Sequence, residues 1–479
     1  MADACVIVGG GLAGMVAARR LQQLDVRPVV LERGEVEGGA NNARISGGLL
    51  HVAMAAMDEK PESLYNRLLE ETDGEIDPDL ARVYAENAGR ATNWLLAEGV
   101  EIKPKSSVPC QRFALFPHEL GTARRFVPTR GPDRAMMTLY RAARANGTEV
   151  ILGAAGEVLR PRAGGGWIVT YRIGGVARER TARAVLVADG GFQGNPEMLA
   201  RYVGPNAGQC LPRAMPGSTG AGLRMLMAVG AKAVGLGRVY GHMVSADALA
   251  NDTLWPYPSV DKLCLQGVLV DRRGERFATR ASEGVRLVTE LARTEDPRGY
   301  RLIFDEALWT TAGKDNPYGT PVPNPDLAAR GGTLVEGASV AALGEAIGIE
   351  ADRLERAVAE HNADPARVAL ARPPFYAMPV VPGITFTMGG VRIGPACEVL
   401  DEMDRPIGGL YAAGGTTGGL HGGPRGGYVG GLAAALTFGL LAAEAIASHA
   451  RASMPSRQPS SRESKKKRSP RPRRGRGRG

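Results

Sequence analysis

The sequence predicts an α/β protein on three observations: an N-terminal apolar strand, glycine turn and helix; later apolar runs that end in glycine pairs; and a long Ala/Leu-rich stretch near residue 440. The first is "ACVIVGGGLAGMVAARRLQQLDVRPVVLERG". Ala4 to Val8 is an apolar run, Leu12 to Leu24 has helical periodicity, and Pro28 to Leu31 is a second apolar run ending in an acid. Between strand and helix lies Gly9-x-Gly11-x-x-Gly14. Glycines at that spacing permit the bend, let a pyrophosphate approach the main chain, and let helix and strand pack closely. The helix N-terminus adds unpaired N–H groups and partial positive charge. Glu32 stands 21 residues after Gly11, close to the spacing of a carboxylate that binds a ribose hydroxyl. A bound dinucleotide is expected, and the turn alone does not separate NAD from FAD.

Three later segments bear on that choice. "GGANNARISGGLLHVA" (38 to 53) follows the second strand and supplies small and polar residues where a long cofactor continues past its pyrophosphate. "RAVLVADGGF" (183 to 192) is another buried strand ending in glycines, preceded by the hairpin-like "WIVTYRIGGVARERTARA". "GGLYAAGG" (408 to 415) repeats the pattern, and "LHGGPRGGYVGG" (420 to 431) sets Arg425 among six glycines. Glycines followed by the small-residue helix "GGLAAALTFGLLAAEAIA" suit a flat ring lying close to a helix N-terminus, which stabilises negative charge on a reduced flavin. The alternative is a Gly/Ala helix packed on a sheet with no ligand.

In these motifs and their order the chain resembles the fumarate reductase and succinate dehydrogenase flavoprotein family over residues 3 to 448. "YGHMVSADA", "GITFTMGGV" and the closing helix are most similar to tricarballylate dehydrogenases, and the last also to ketosteroid dehydrogenases. The resemblance implies a Rossmann-type FAD-binding domain in two parts, residues 1–237 and 385–450, with an α+β capping domain inserted at 238–384. "TPVPNPDLAARGGTLVEGASVAALGEAIGIEADRLERAVAEHNA" reads as a proline-rich loop and two cap helices, with Asp352 a candidate N-cap for the second. FAD contacts are expected from Gly9, Gly11, Ala13, Gly14, Glu32 and Arg33; from Gly39, Asn41, Ser46, Gly47 and Gly48; from Val158, Ala188, Gly190 and Gly191; and from Gly414, Gly415, Gly430 and Gly431. Members with covalent flavin attach it through a histidine where this chain has Asn41, so the FAD is expected to be non-covalent. No second GxGxxG accompanies the first, and electrons are expected to pass through an unassigned carrier.

The resemblance also implies catalytic roles. Arg425 matches the arginine of "HG-x-x-R-x-GG" that binds a substrate carboxylate, a task suited to a planar, permanently charged fork; the alternative is an arginine paired with a structural acid or the FAD phosphates. His242 matches the histidine that opens the cap side of the site. Tyr428 matches a tyrosine of the ketosteroid dehydrogenases and reads either as a group that polarises a carbonyl or accepts a proton, or as a core tyrosine. The chain departs from the fumarate reductases at Phe386, which replaces a carboxylate-binding histidine, at Val260 and Leu263 in the proton relay, and at Gly415, which replaces an acid. Arg280 and Arg286 match the proton-donating arginine only approximately, and Arg130 stands where glycine is usual. The expected reaction is FAD-dependent hydride transfer at a C–C bond beside a carboxylate or carbonyl. Desaturation of a small carboxylic acid or its reverse comes first. A hydrophobic ketone, with Trp255, Tyr257 and Phe386 as pocket material, is the alternative.

Composition narrows the rest. At 479 residues and 44% apolar, the chain is long enough for two or more domains. Its net charge of +9 is concentrated in residues 451–479, which hold 12 of the 59 Lys and Arg and one of the 50 Asp and Glu. That tail is expected to be disordered, and reads as a nucleic-acid or anionic-surface contact or as a solvated extension; the body carries no basic stripe. Five scattered cysteines without paired spacing argue against disulfides or a metal site and suit a reducing cytoplasm. Gly430 to Ala443 falls short of a bilayer span and Glu444 follows it, so no membrane span is expected.

Overall fold

The computed structural model describes residues 3–119, 129–255, 258–315 and 321–452. The basic tail from 453 and Tyr257 lie outside these, so the nucleic-acid expectation falls outside the described residues.

The larger sheet runs in the order Glu398–Leu400, Pro406–Ala412, Val176–Val187, Asp3–Val8, Pro28–Glu32, Glu149–Leu152. The four pairings from Pro406–Ala412 through to Glu149–Leu152 are parallel. Parallel strands are covered on both faces, which is why Cys5 to Val8 and Val185 to Val187 read as unbroken apolar runs. The hairpin read near 167 to 184 is present as Trp167–Ile173 against Val176–Val187.

The Leu12–Gln23 helix lies on this sheet, and the Gly431–Ala452 helix packs against it and against the Pro78–Ala97 helix. Contact between the first two is close: a Cβ at Gly439 would stand 2.6 Å from Ala13 O. The late helix extends beyond the stretch read from sequence. Among the described residues it is the one helix long and apolar enough to cross a membrane, yet it sits largely within the body and its Glu444 pairs with Arg20 and Arg90 at 2.8 and 2.7 Å.

A second sheet is organised by one long strand, Phe375–Thr387, which pairs antiparallel with Val239–Ser245, Tyr300–Asp305 and Val335–Gly337. Leu211–Pro212 adds to it in parallel. The expected boundary between residues 384 and 385 therefore falls inside a continuous strand, which carries the second sheet to the edge of the first body. There Thr387 Oγ1 accepts the N–H of Phe192 at 3.1 Å. The stretch expected to form the cap holds the helices Val340–Ile347 and Ala351–Asn362, and a further one, Pro323–Ala329, within the part read as loop. Asp352 lies in the first turn of Ala351–Asn362, with Glu350 at the N-cap.

Candidate active site

The N-terminal turn forms one end of a cavity of about 340 Å³. Gly9 has φ +104°, and a Cβ there would stand 2.5 Å from Ala188 O, so only glycine serves. Gly11 caps the Leu12–Gln23 helix without a side-chain hydrogen bond, and Gly11, Leu12 and Ala13 line the cavity, so the unpaired N–H groups of the first turn open onto it. Gly14 lies behind the turn, where a Cβ would stand 2.0 Å from Gly9 O; its part is packing.

Glu32 is buried, with Oε2 accepting the Gly10 N–H at 2.7 Å and Oε1 accepting those of Gly34 at 2.7 Å and Ala40 at 3.1 Å. A carboxylate has about four acceptor sites, so three N–H donors leave capacity for one hydroxyl. Glu32 and Arg33 both line the cavity.

Asn41, Ser46, Gly47 and Gly48 form the next stretch of wall. The two polar side chains shape the segment: Asn41 caps the Asn42–Ile45 helix by accepting Arg44 N–H at 3.3 Å, and Ser46 Oγ donates to Ala43 O at 2.7 Å. Arg130, which also lines the cavity, braces it by donating to the carbonyls of Glu119, Arg44 and Ser46 at 3.0, 3.3 and 2.6 Å. Gly47 is different, because a Cβ there would meet no protein atom within 4 Å. Its bare backbone leaves room for something other than protein.

Ala188, Gly190 and Gly191 and, across from them, Gly414 and Gly415 complete this part of the lining. Besides Gly14, three expected contacts are not brought to it. Gly39 is turned into the fold, where a Cβ would stand 2.6 Å from Tyr140 Oη. Val158 is 48% exposed on the Ala155–Pro161 strand, and a register shift between Gly156 and Val158 leaves Gly156 and Ala154 facing the cavity. Gly430, at φ +99°, lies against His51 O, while its neighbour Gly431 lines the cavity.

The far end is aromatic. Tyr240 stacks on Tyr428 with centroids 4.0 Å apart and planes at 25°, and Phe386 packs on both at 5.3 and 5.9 Å. His421 lies parallel to Tyr428 at 5.8 Å and His51 meets its edge at 5.5 Å. Burial holds the His51 imidazole down to about 4; burial and the neighbouring His51 bring His421 to about 4 as well. Both are neutral near pH 7 and accept backbone N–H groups through Nδ1, from Met54 and Val429, each at 3.2 Å. Tyr428 Oη accepts the N–H of Gly431, the first residue of the late helix, at 2.9 Å.

His242 lies two residues beyond Tyr240 on the same strand and so on the same face. Its Nε2 is 3.2 Å from Tyr240 Oη and its Nδ1 2.5 Å from Asp261 Oδ2. The buried Arg213 also lines this end, with its guanidinium 5.4 Å from the Trp255 ring centroid. It is seated where Gly383 has no side chain: a Cβ there would stand 2.4 Å from Arg213 Cδ.

Arg425 is not brought to the cavity. Its side chain is 46% exposed, pairs with Asp73 Oδ1 at 3.0 Å and donates to Glu70 O at the C-terminal end of the Pro61–Glu71 helix. A cation is favoured at that end by the helix dipole. Arg286 reaches the same loop, donating to Pro424 O. Of the three expected catalytic side chains, His242 and Tyr428 share the cavity and Arg425 faces outward. Tyr240, His421, His51 and Asp261 were missed. Tyr240 had a signal in its spacing from His242; Arg213 had none, since pairing of Leu211–Pro212 with the Gly383–Ile384 segment brings it in.

The residues present fit FAD: an uncapped helix N-terminus, a carboxylate with spare acceptor capacity, an open glycine wall and a second helix start beside an aromatic end. Fold and cavity define a flavin-dependent oxidoreductase. The chain matches the FAD binding domain family over residues 4–430. It is 26% identical to the cytochrome-type fumarate reductase of Shewanella frigidimarina, covering 93% of this chain and 77% of that one. It is also 26% identical to the 4-oxocyclohexanecarboxylate 2-dehydrogenase of Sinomonas cyclohexanicum, covering 71% and 65%. Among solved structures, the 3-ketosteroid-Δ4-(5α)-dehydrogenase of Rhodococcus jostii RHA1 superposes with TM-score 0.69 at 21% identity, over 92% of this chain and 96% of that one. The chain belongs to the FAD-binding flavoproteins of the fumarate reductase and succinate dehydrogenase family.

Proposed function

We propose that this flavoprotein catalyses hydride transfer at a C–C bond conjugated to a carbonyl or carboxylate, in a substrate with a flat, apolar body and at most one or two acidic groups. The observation that carries this reading is the aromatic end of the cavity, where Tyr240, Tyr428 and Phe386 pack together beside Arg213. Bound along the cavity, the flavin supplies two-electron hydride chemistry at its ring.

The chain's own residues supply the remainder. The first turn of the Leu12–Gln23 helix would hold the pyrophosphate and Glu32 a ribose hydroxyl, and the start of the Gly431–Ala452 helix would stabilise negative charge on the ring. Asn41 offers no nucleophile, in keeping with non-covalent FAD. Tyr428, whose oxygen takes an N–H from that helix start, polarises the substrate's carbonyl or carboxylate, and Arg213 neutralises an acidic group in a site of low dielectric. Residues 238–384 act as a cap over the FAD-binding parts 1–237 and 385–450 and exclude water. Electrons are exchanged with a separate carrier.

The resemblance to tricarballylate dehydrogenases is a second reading, favoured by the buried Arg213. Three carboxylates ask for several cations, and with Arg425 turned outward and Phe386 in place of a histidine the aromatic end has fewer to give. The test is anaerobic mixing of the FAD-loaded protein with 4-oxocyclohexanecarboxylate, 4-androstene-3,17-dione, tricarballylate and succinate, followed at the flavin absorbance. Bleaching by the ring ketones supports the first reading; bleaching by tricarballylate alone favours the second.

A further inference from the structure

We propose that Tyr240, His242 and Asp261 form the proton relay of this site, with Tyr240 the catalytic residue that exchanges a proton with the substrate, His242 the base behind it, and Asp261 the positioning residue. The inference rests on the reading of the reaction given above and supplies the proton acceptor that reaction needs.

The geometry is a continuous chain. Asp261 Oδ2 lies 2.5 Å from His242 Nδ1, and His242 Nε2 lies 3.2 Å from Tyr240 Oη. Tyr240 and His242 line the cavity, whereas Asp261 stands behind them at the start of the Asp261–Gln266 helix. Asp261 is fixed on its other oxygen by the Met243 N–H at 2.6 Å, and it packs so tightly on Gly284 that a Cβ there would stand 2.6 Å from its Cγ. The register shifts between Tyr240 and Gly241, which pair with Phe386 and Ile384 and leave Thr385 of the partner strand as the extra residue beside the Tyr240–Tyr428 stack.

Chemistry follows from the hydrogen-bond directions. Burial alone would raise the Asp261 carboxyl, but the adjacent His242 imidazole and the hydrogen bonds Asp261 accepts outweigh that and hold it below its ordinary value, so it accepts. His242 then carries its neutral-state proton on Nδ1, leaving Nε2 to accept from the Tyr240 hydroxyl. In the oxidative direction the C–H bond next to the activating group breaks. Its proton goes to the Tyr240 oxygen as the Tyr240 hydroxyl proton passes to His242 Nε2. The freed electron pair becomes the new C=C bond, and a flavin bound in the cavity would supply the acceptor for the hydride on the adjacent carbon. The imidazolium rests against Asp261 until it loses its proton to solvent. In the reductive direction every transfer is reversed.

Other ionisable groups face this chain: Tyr428 stacked on Tyr240, His421 beyond it, Arg213 on the cavity wall, and Cys264 beside Asp261, whose thiol burial and that carboxylate hold well above the ordinary range. None lies between Tyr240 and His242.

Two measurements on the FAD-loaded protein test the relay. First, ¹⁵N NMR of labelled His242 at neutral pH: the relay requires the tautomer protonated on Nδ1, and that preference lost in Asp261→Asn. Second, anaerobic flavin reduction by 4-oxocyclohexanecarboxylate across pH. Tyr240→Phe keeps the ring stack and slows reduction by about a hundredfold or more. Asp261→Asn lowers the rate, because His242 loses the carboxylate that holds its proton on Nδ1. FAD content and melting temperature establish that each variant is folded. Wild-type His242 protonated on Nε2, or Tyr240→Phe reducing at the wild-type rate, overturns the relay. A wild-type protein that the keto acid does not bleach contradicts the proposed reaction instead, and the NMR tautomer then decides the relay alone.

Discussion

The rings of Tyr240 and Tyr428 stack with centroids 4.0 Å apart. Tyr240 comes from the Val239–Ser245 strand of the second sheet and Tyr428 from the glycine loop before the Gly431–Ala452 helix, so this contact joins the two sheet systems across the cavity. It sets the character of the far end as flat, apolar and carrying hydroxyls.

The positions of the arginines give the first prediction. Arg213→Gln is expected to lower kcat/KM for an acidic substrate by roughly ten- to a hundredfold, the worth of a buried charge-assisted contact. Arg425→Gln is expected to stay within about threefold, because its partners Asp73 and Glu70 lie at the surface. Steady-state kinetics of both variants on one substrate check the pair.

Glu32 gives the second. Glu32→Gln replaces an oxygen that accepts a backbone N–H with an amide that donates, breaking at least one of three hydrogen bonds to the turn. FAD affinity is expected to fall by about tenfold or more, at roughly 1.5 to 3 kcal/mol per hydrogen bond to a charged group. Fluorescence titration of the apoprotein with FAD measures it.

Close helix packing gives the third. Gly439→Leu puts a side chain where even a Cβ would stand 2.6 Å from Ala13 O. The backbones must part, and a loss of about 1 to 3 kcal/mol or more is expected in chemical denaturation, together with lower FAD occupancy.

Acid stability gives the fourth. His51 and His421 have folded-state values near 4 against 6.5 when exposed. Below about pH 6.5 the unfolded chain takes up protons that the folded one refuses, so stability falls as pH drops from 6.5 toward 4, by up to about 1.4 kcal/mol per histidine per pH unit. Replacing His421 with Asn should flatten the fall in melting temperature over that window.

Much of the cofactor half was legible because its determinants are local. The turn from Gly9 to Gly14, the strand on each side and Glu32 are fixed by short-range spacing, and the parallel strands showed as apolar runs. Gly39, Val158 and Gly430 went astray because which side of a strand or turn faces a cavity depends on pleat and register shifts that residue type does not encode. The substrate half depends on pairing between distant segments. Arg213 is delivered by two residues of parallel strand, and the Tyr240–Tyr428 stack by a strand and a loop 188 positions apart in the chain. Arg425 had the right neighbours in sequence, but Asp73, at the end of another helix, holds it outside.

The central claim, that FAD lies along the cavity from the Leu12–Gln23 helix to the Tyr240–Tyr428 stack, is tested most directly by reconstituting the protein with FAD and measuring bound flavin. It predicts one FAD per chain, flavin fluorescence quenched by the aromatic end and restored on denaturation with the cofactor released intact. Protein that takes up no FAD, or binds it with fluorescence unaltered by Tyr240→Leu and Tyr428→Leu, would contradict it.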